Sequence, residues 1–120
     1  MQATEVRNTV IATIANATDI SDNVNLEGAV LVGIRMCAVW DAAVLTFQTS
    51  MDDVTYLDAY SSAGAEHTVT AAVDQHIWLD PSAFAGYRWL RIRSGTAGTP
   101  VDQTTGVDDR LLTLVTRGIG

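Results

Sequence analysis

Tyr87-Arg88-Trp89-Leu90-Arg91-Ile92-Arg93-Ser94 places Leu90 and Ile92 on one side of an extended chain and Tyr87, Trp89, Arg91 and Arg93 on the other. Side chains that repeat with a period of two belong to a strand with one face buried and one face open. The same alternation recurs in Leu45-Thr46-Phe47-Gln48-Thr49-Ser50 and in Gln75-His76-Ile77-Trp78-Leu79-Asp80. In the latter, Ile77 and Leu79 are expected inward and His76 and Trp78 outward.

Working outward, further strands are expected at residues 9–15, 23–26, 54–60, 66–71 and 110–117. Residues 29–37 are apolar almost without interruption, which predicts a strand covered on both faces. Clusters of Asn, Asp, Ser and Gly separate these segments and supply turns. Residues 43–49 and 54–60, joined by Ser50-Met51-Asp52-Asp53, read as a hairpin. Pro81 ends the preceding strand because it has no N–H to donate, and residues 81–86 suit one helical turn. Residues 95–106 form a longer loop. No helix of ordinary length is expected. The whole predicts one all-β domain over residues 1–120, an antiparallel jelly-roll sandwich of about eight strands.

The chain has 120 residues, enough to bury a core without covalent staples. It carries 14 acidic and 7 basic residues, for a formal net charge of −7, and every basic residue is an arginine. Such a surface disfavours nucleic acid, whose phosphates need clustered cations. No apolar run reaches a membrane span, so no membrane partner is expected. The first five residues lack the zones of a signal peptide, which predicts use without that export route. The lone cysteine, Cys37, cannot form a disulfide within the chain and reads as a small buried hydrophobe.

Chemistry-bearing patterns are sparse. Asp52-Asp53 and Asp108-Asp109 fall in loops but lack calcium-loop spacing. His67 and His76 sit on different expected strands, and no third zinc ligand is signalled. There is no phosphate-cradling glycine loop and no nucleophile elbow. No catalytic residue, cofactor or metal is expected, and the chain does not read as an enzyme. The outward stripe Tyr87, Trp89, Arg91 and Arg93 combines aromatic area with planar, multidentate donors, as partner surfaces do. Trp40 and Trp78 are further anchors of this candidate interface. The competing reading is a second covered face whose arginines pair with nearby acids.

Two resemblances follow. Gln48-Thr49-Ser50-Met51-Asp52-Asp53-Val54-Thr55-Tyr56 with Tyr87-Arg88-Trp89-Leu90-Arg91-Ile92 resembles the discoidin or galactose-binding-like jelly roll. Asp53 stands where that family's turn usually has Gly. The layout, including Val30-Leu31-Val32-Gly33-Ile34, Leu45-Thr46-Phe47-Gln48, residues 79–95 and Leu114-Val115-Thr116-Arg117, also resembles small proteins of tailed phages. That resemblance implies a virion structural protein on the capsid exterior, made in the host cytoplasm. It would be a decoration or cement protein that binds the major capsid protein and stabilises capsomer junctions, as a homotrimer or other small symmetric oligomer. The alternative is a carbohydrate-binding module, or an adsorption component of a head spike or tail fibre.

Overall fold

The computed structural model describes residues 5–119. In chain order the elements are β1 (Glu5–Ile14), β2 (Val24–Asn25), β3 (Val30–Arg35), β4 (Leu45–Ser50), β5 (Leu57–Asp58), β6 (His76–Trp78), α1 (Pro81–Phe84), β7 (Trp89–Ser94) and β8 (Arg110–Ile119). They form two four-stranded sheets, ordered β1-β8-β3-β6 and β2-β7-β4-β5, and every strand pair is antiparallel. Each connection between successive strands crosses from one sheet to the other except the β4–β5 hairpin, which is the connectivity of an eight-stranded jelly roll. The expected fold class is what the chain adopts.

The inward alternation holds as expected. Leu45 and Phe47 of β4, Leu90 and Ile92 of β7, Ala12 and Ile14 of β1, and Leu112 and Leu114 of β8 are all fully buried between the sheets. Burying each larger side chain contributes about 1.5–3 kcal/mol. The helical turn closes one end of this core. Asp80 caps it, its carboxylate accepting from the Ser82 amide at 3.1 Å, and Pro81 opens it where a missing N–H costs nothing. The turn seats Phe84 against Phe47 in an edge-to-face pair, ring centres 5.4 Å apart.

Three expectations are modified. The strand within the apolar run at residues 29–37 is shorter, Val30–Arg35, and its residues Leu31 to Ile34 are all buried, with Gly33 beneath the Trp78 ring. A bulge between Leu31 and Gly33 inserts Val32, so that Leu31 and Ile34 both point inward. The hairpin after β4 has only a two-residue return strand, β5, because residues 51–56 are taken up by a side-chain-bonded turn. Residues 66–71 make isolated bridges, Tyr60 to Glu66 and Leu45 to Val69, instead of a strand.

The long segment between β7 and β8 is a loop, yet it is tightly held. Gly95 turns there with φ +88°, and a Cβ would lie 2.5 Å from the Thr99 carbonyl oxygen. Further along, Gln103 is fully buried. Its Nε2 donates to the Asp41 carbonyl and Ser94 hydroxyl, while its Oε1 accepts from the Asp41 amide and Arg110 Nε. Arg110 is itself 1% exposed and donates to the Asp108 and Thr105 carbonyls. A buried guanidinium is tolerated only when its donors are met in this way.

Candidate functional site

The stripe expected on β7 does share one side of the sheet. Register puts Arg93 beside Thr46, Arg91 beside Gln48 and Trp89 beside Ser50. It is not an open surface, however. Arg93 is 6% exposed and clamped between carboxylates, with Nη1 2.9 Å from Asp58 and Nη2 2.9 Å from Glu66. Its Nε donates to the Thr46 hydroxyl at 3.0 Å. The Arg93 bond holds the Asp58 carboxyl below its usual range. The competing expectation, arginines paired to nearby acids, describes Arg93. Asp58 comes from β5 at the edge of β4, and Glu66 from the segment that bridges back to Tyr60.

Arg91 is half-buried. Its guanidinium carbon stands 3.8 Å from the centre of the Tyr56 ring, and its Nε donates to the Asn23 side-chain oxygen at 2.7 Å. Tyr56 donates to Asp53, and burial together with that carboxylate pushes the phenol up to about 12. The turn carrying Asp53 is knitted by Ser50, whose hydroxyl accepts from the Asp52 and Asp53 amides, and by Asp52, whose carboxylate accepts from Val54 and Thr55. Trp89 is half-buried. Tyr87 is half-buried too, its hydroxyl 2.7 Å from His67 Nδ1 in a cluster with Phe47 and Phe84.

The other expected anchors lie elsewhere. Trp40 belongs to the core, 9% exposed, its indole N–H donating to the Ala43 carbonyl. Its expected place at a surface is corrected by that burial. Trp78 is 66% exposed, on the opposite sheet. The structure therefore splits the six candidate residues between a paired polar face, the core and a separate face.

That separate face is the outer side of the β1-β8-β3-β6 sheet. Register aligns Ile11, Thr113, Arg35 and His76 in one row, and Thr9, Val115, Gly33 and Trp78 in the next, with Thr13 and Leu111 beyond. Trp78 lies over Gly33 and stacks on His76, ring centres 4.3 Å apart at 26°. Ile11 and Leu111 are exposed. These outward positions of residues 9–13, 33–35, 76–78 and 111–117 include no Asp or Glu, and their charges are Arg35 and Arg117. In a chain with 14 acids, the absence of any from these outward positions is the strongest surface feature among the described side chains. Sequence reading passed over it, although a signal was present: Val10-Ile11, Leu111-Leu112 and Leu114-Val115 put apolar residues on both sides of their strands.

The two histidines do not meet, since His67 is inside the aromatic cluster and His76 is on the outer face. Among the described residues, no group of three or more His, Cys, Asp or Glu side chains could hold a metal ion. Cys37, Asp74 and His76 line one shallow cleft with Arg35 and Leu111. The thiol donates to the Val39 carbonyl at 3.0 Å, and burial raises its pKa, so it is held as the weakly nucleophilic thiol. A second cleft, of about 540 Å³, opens between Asn8–Val10 and the turn at residues 25–29, and Glu27 is its one acid. No family model matches this chain. No curated protein matches it as a relative.

Proposed function

We propose that this jelly roll is a structural protein of the capsid-decoration kind, docking on a larger protein shell through the outer face of the β1-β8-β3-β6 sheet. The observation that carries the reading is that face: apolar and threonine-rich, with no carboxylate at its outward positions among residues 9–13, 33–35, 76–78 and 111–117, and topped by the exposed indole of Trp78. Large apolar anchors with an arginine beside them are what binding hot spots are made of. The acids elsewhere on the chain keep the remaining surface hydrated and mutually repelling, which suits a coat that must not aggregate. Binding to the assembled shell and not to its free subunits would oppose disassembly by mass action.

The test is co-sedimentation with assembled, undecorated shells of a tailed-phage major capsid protein. Trp78→Ala should weaken binding at least about thirtyfold, the loss of about 2 kcal/mol expected of a buried aromatic anchor. Arg88→Ala, an exposed change at the far sheet, should leave it unchanged. Equal binding by wild type and Trp78→Ala would remove this face from the reading. Tyr60, 58% exposed at a loop end, is the feature that favours the carbohydrate alternative. Glycan binding lost in Tyr60→Ala, with no affinity for shells, would replace the proposal with that one.

A further inference from the structure

We propose that β1 is a dimerisation edge, pairing antiparallel with β1 of a second copy across a two-fold axis to make one eight-stranded sheet. A sheet edge exposes a row of unpaired N–H and C=O groups, and proteins normally blunt it. Three of the four edges here are blunted. The strands β2 and β5 are two residues long, and β6 has three residues followed by Asp80 and Pro81. The fourth edge, β1, has ten residues in unbroken register with β8, without a bulge, and from Asn8 to Ile14 it carries no charge, proline or glycine.

The direction of its free groups can be read from one end. The Thr13 amide donates to the Asp22 carboxylate at 2.9 Å, and the Asp22 amide donates to the Thr13 carbonyl at 3.1 Å. Thr13 therefore points its backbone away from β8, and by strand alternation so do Ile11 and Thr9. Among the described residues, no hydrogen bond to the outward amides of Ile11 and Thr9 is made. Thr9 also lines the cleft of about 540 Å³ whose far wall is the turn at residues 25–29.

Only an extended backbone satisfies such a row, and a second β1 is a self-complementary one. Asp22 closes the edge at Thr13, so the longest self-pairing within the described strand runs from Glu5 to Ile11 and centres on Asn8. That register sets Arg7 opposite the partner's Thr9, Glu5 opposite the partner's Ile11 and Val6 opposite the partner's Val10. No like charges face each other, which matters for two chains of net charge −7.

The experiment is sedimentation velocity from micromolar to sub-millimolar protein, with amide hydrogen exchange on the same samples. Wild type should form a dimer in which the Thr9 and Ile11 amides become protected as concentration rises. Thr9→Pro removes a donor that β8 does not use, so the variant should fold with the wild-type far-UV spectrum and stay monomeric. A wild type that remains monomeric throughout overturns the proposal. So does a dimer whose Thr9 and Ile11 amides exchange freely, or a folded Thr9→Pro protein that still dimerises. Should Thr9→Pro fail to fold, the exchange measurement on wild type decides. Shell binding by a protein monomeric in both forms would leave the proposed function standing and this pairing excluded.

Discussion

The indole of Trp78 covers Gly33: a Cβ built on Gly33 would lie 3.0 Å from both Cε3 and Cζ3 of that ring. The aromatic ring from the neighbouring strand supplies the packing surface that glycine lacks, a device known to support glycines in sheets. It also explains how a two-residue-exposed edge such as β6 keeps a large apolar side chain in a fixed orientation on an open face.

Gly33→Val should therefore displace Trp78 from the sheet while the fold persists, since the ring borders solvent and can swing outward. The near-UV circular dichroism of the indole should collapse and shell binding should fall with it. Stability should change by no more than about 1 kcal/mol, because a β-branched residue suits the strand. An unaltered near-UV spectrum would show that the ring does not rest on Gly33.

Arg93→Ala should cost about 3–5 kcal/mol in urea denaturation, the range for removing one partner of a buried ion pair and leaving the other unmet. Two carboxylates, Asp58 and Glu66, lose their cation, and the Thr46 hydroxyl loses a donor. Shell binding per folded molecule should be unaffected. A cost below about 1 kcal/mol would mean that Arg93 is a surface residue after all.

Asp53 occupies the left-handed region, with φ +61°, at the turn position where the discoidin-like pattern has glycine. Aspartate enters that region more readily than most residues, but a Cβ there still costs energy. Its carboxylate offsets this by accepting from Asn23 at 2.8 Å and from Tyr56. Asp53→Ala should lose about 1–2 kcal/mol, keeping the strain without the bonds. Asp53→Gly should lose less, because the strain goes too. Thermal melts that rank Ala above Gly would contradict the account.

Burial lowers the pKa of His67 from its ordinary 6.5, since its ring packs against Phe84 at 4.5 Å and against Phe47. A neutral imidazole can take the Tyr87 hydroxyl proton's hydrogen bond at Nδ1, and burial keeps that phenol protonated by raising its own pKa. The sign follows from linkage. Below pH 6.5 the unfolded chain binds a proton that the folded chain resists, so this contribution is present above the unfolded value and is lost as pH falls through the folded one. The melting temperature should drop between pH 7 and pH 5, and His67→Gln should flatten that slope. An identical slope in the variant would assign the pH dependence to other groups.

Much of the architecture was legible because a strand's period of two writes the inside and outside directly into the order of residues. Leu45 and Phe47, Leu90 and Ile92, and Leu112 and Leu114 face the core as their alternation predicts, and the capped turn at Pro81 lies where proline and glycine placed it. Alternation says which side of its own strand a residue takes, but not what lies across from that side. Arg91 and Arg93 do lie opposite Leu90 and Ile92, yet only the fold brings Tyr56, Asp58 and Glu66 from distant turns to cover them.

The sequence by itself determined an all-β sandwich of about eight strands, since periodicity and turn chemistry are local and survive without knowledge of neighbours. Tertiary structure alone decided which tryptophan is exposed, which arginine is sealed, and which side chains of four separate strands gather on one outer sheet face. Those properties depend on strand order and register, which join residues far apart in the chain, and no local pattern encodes them.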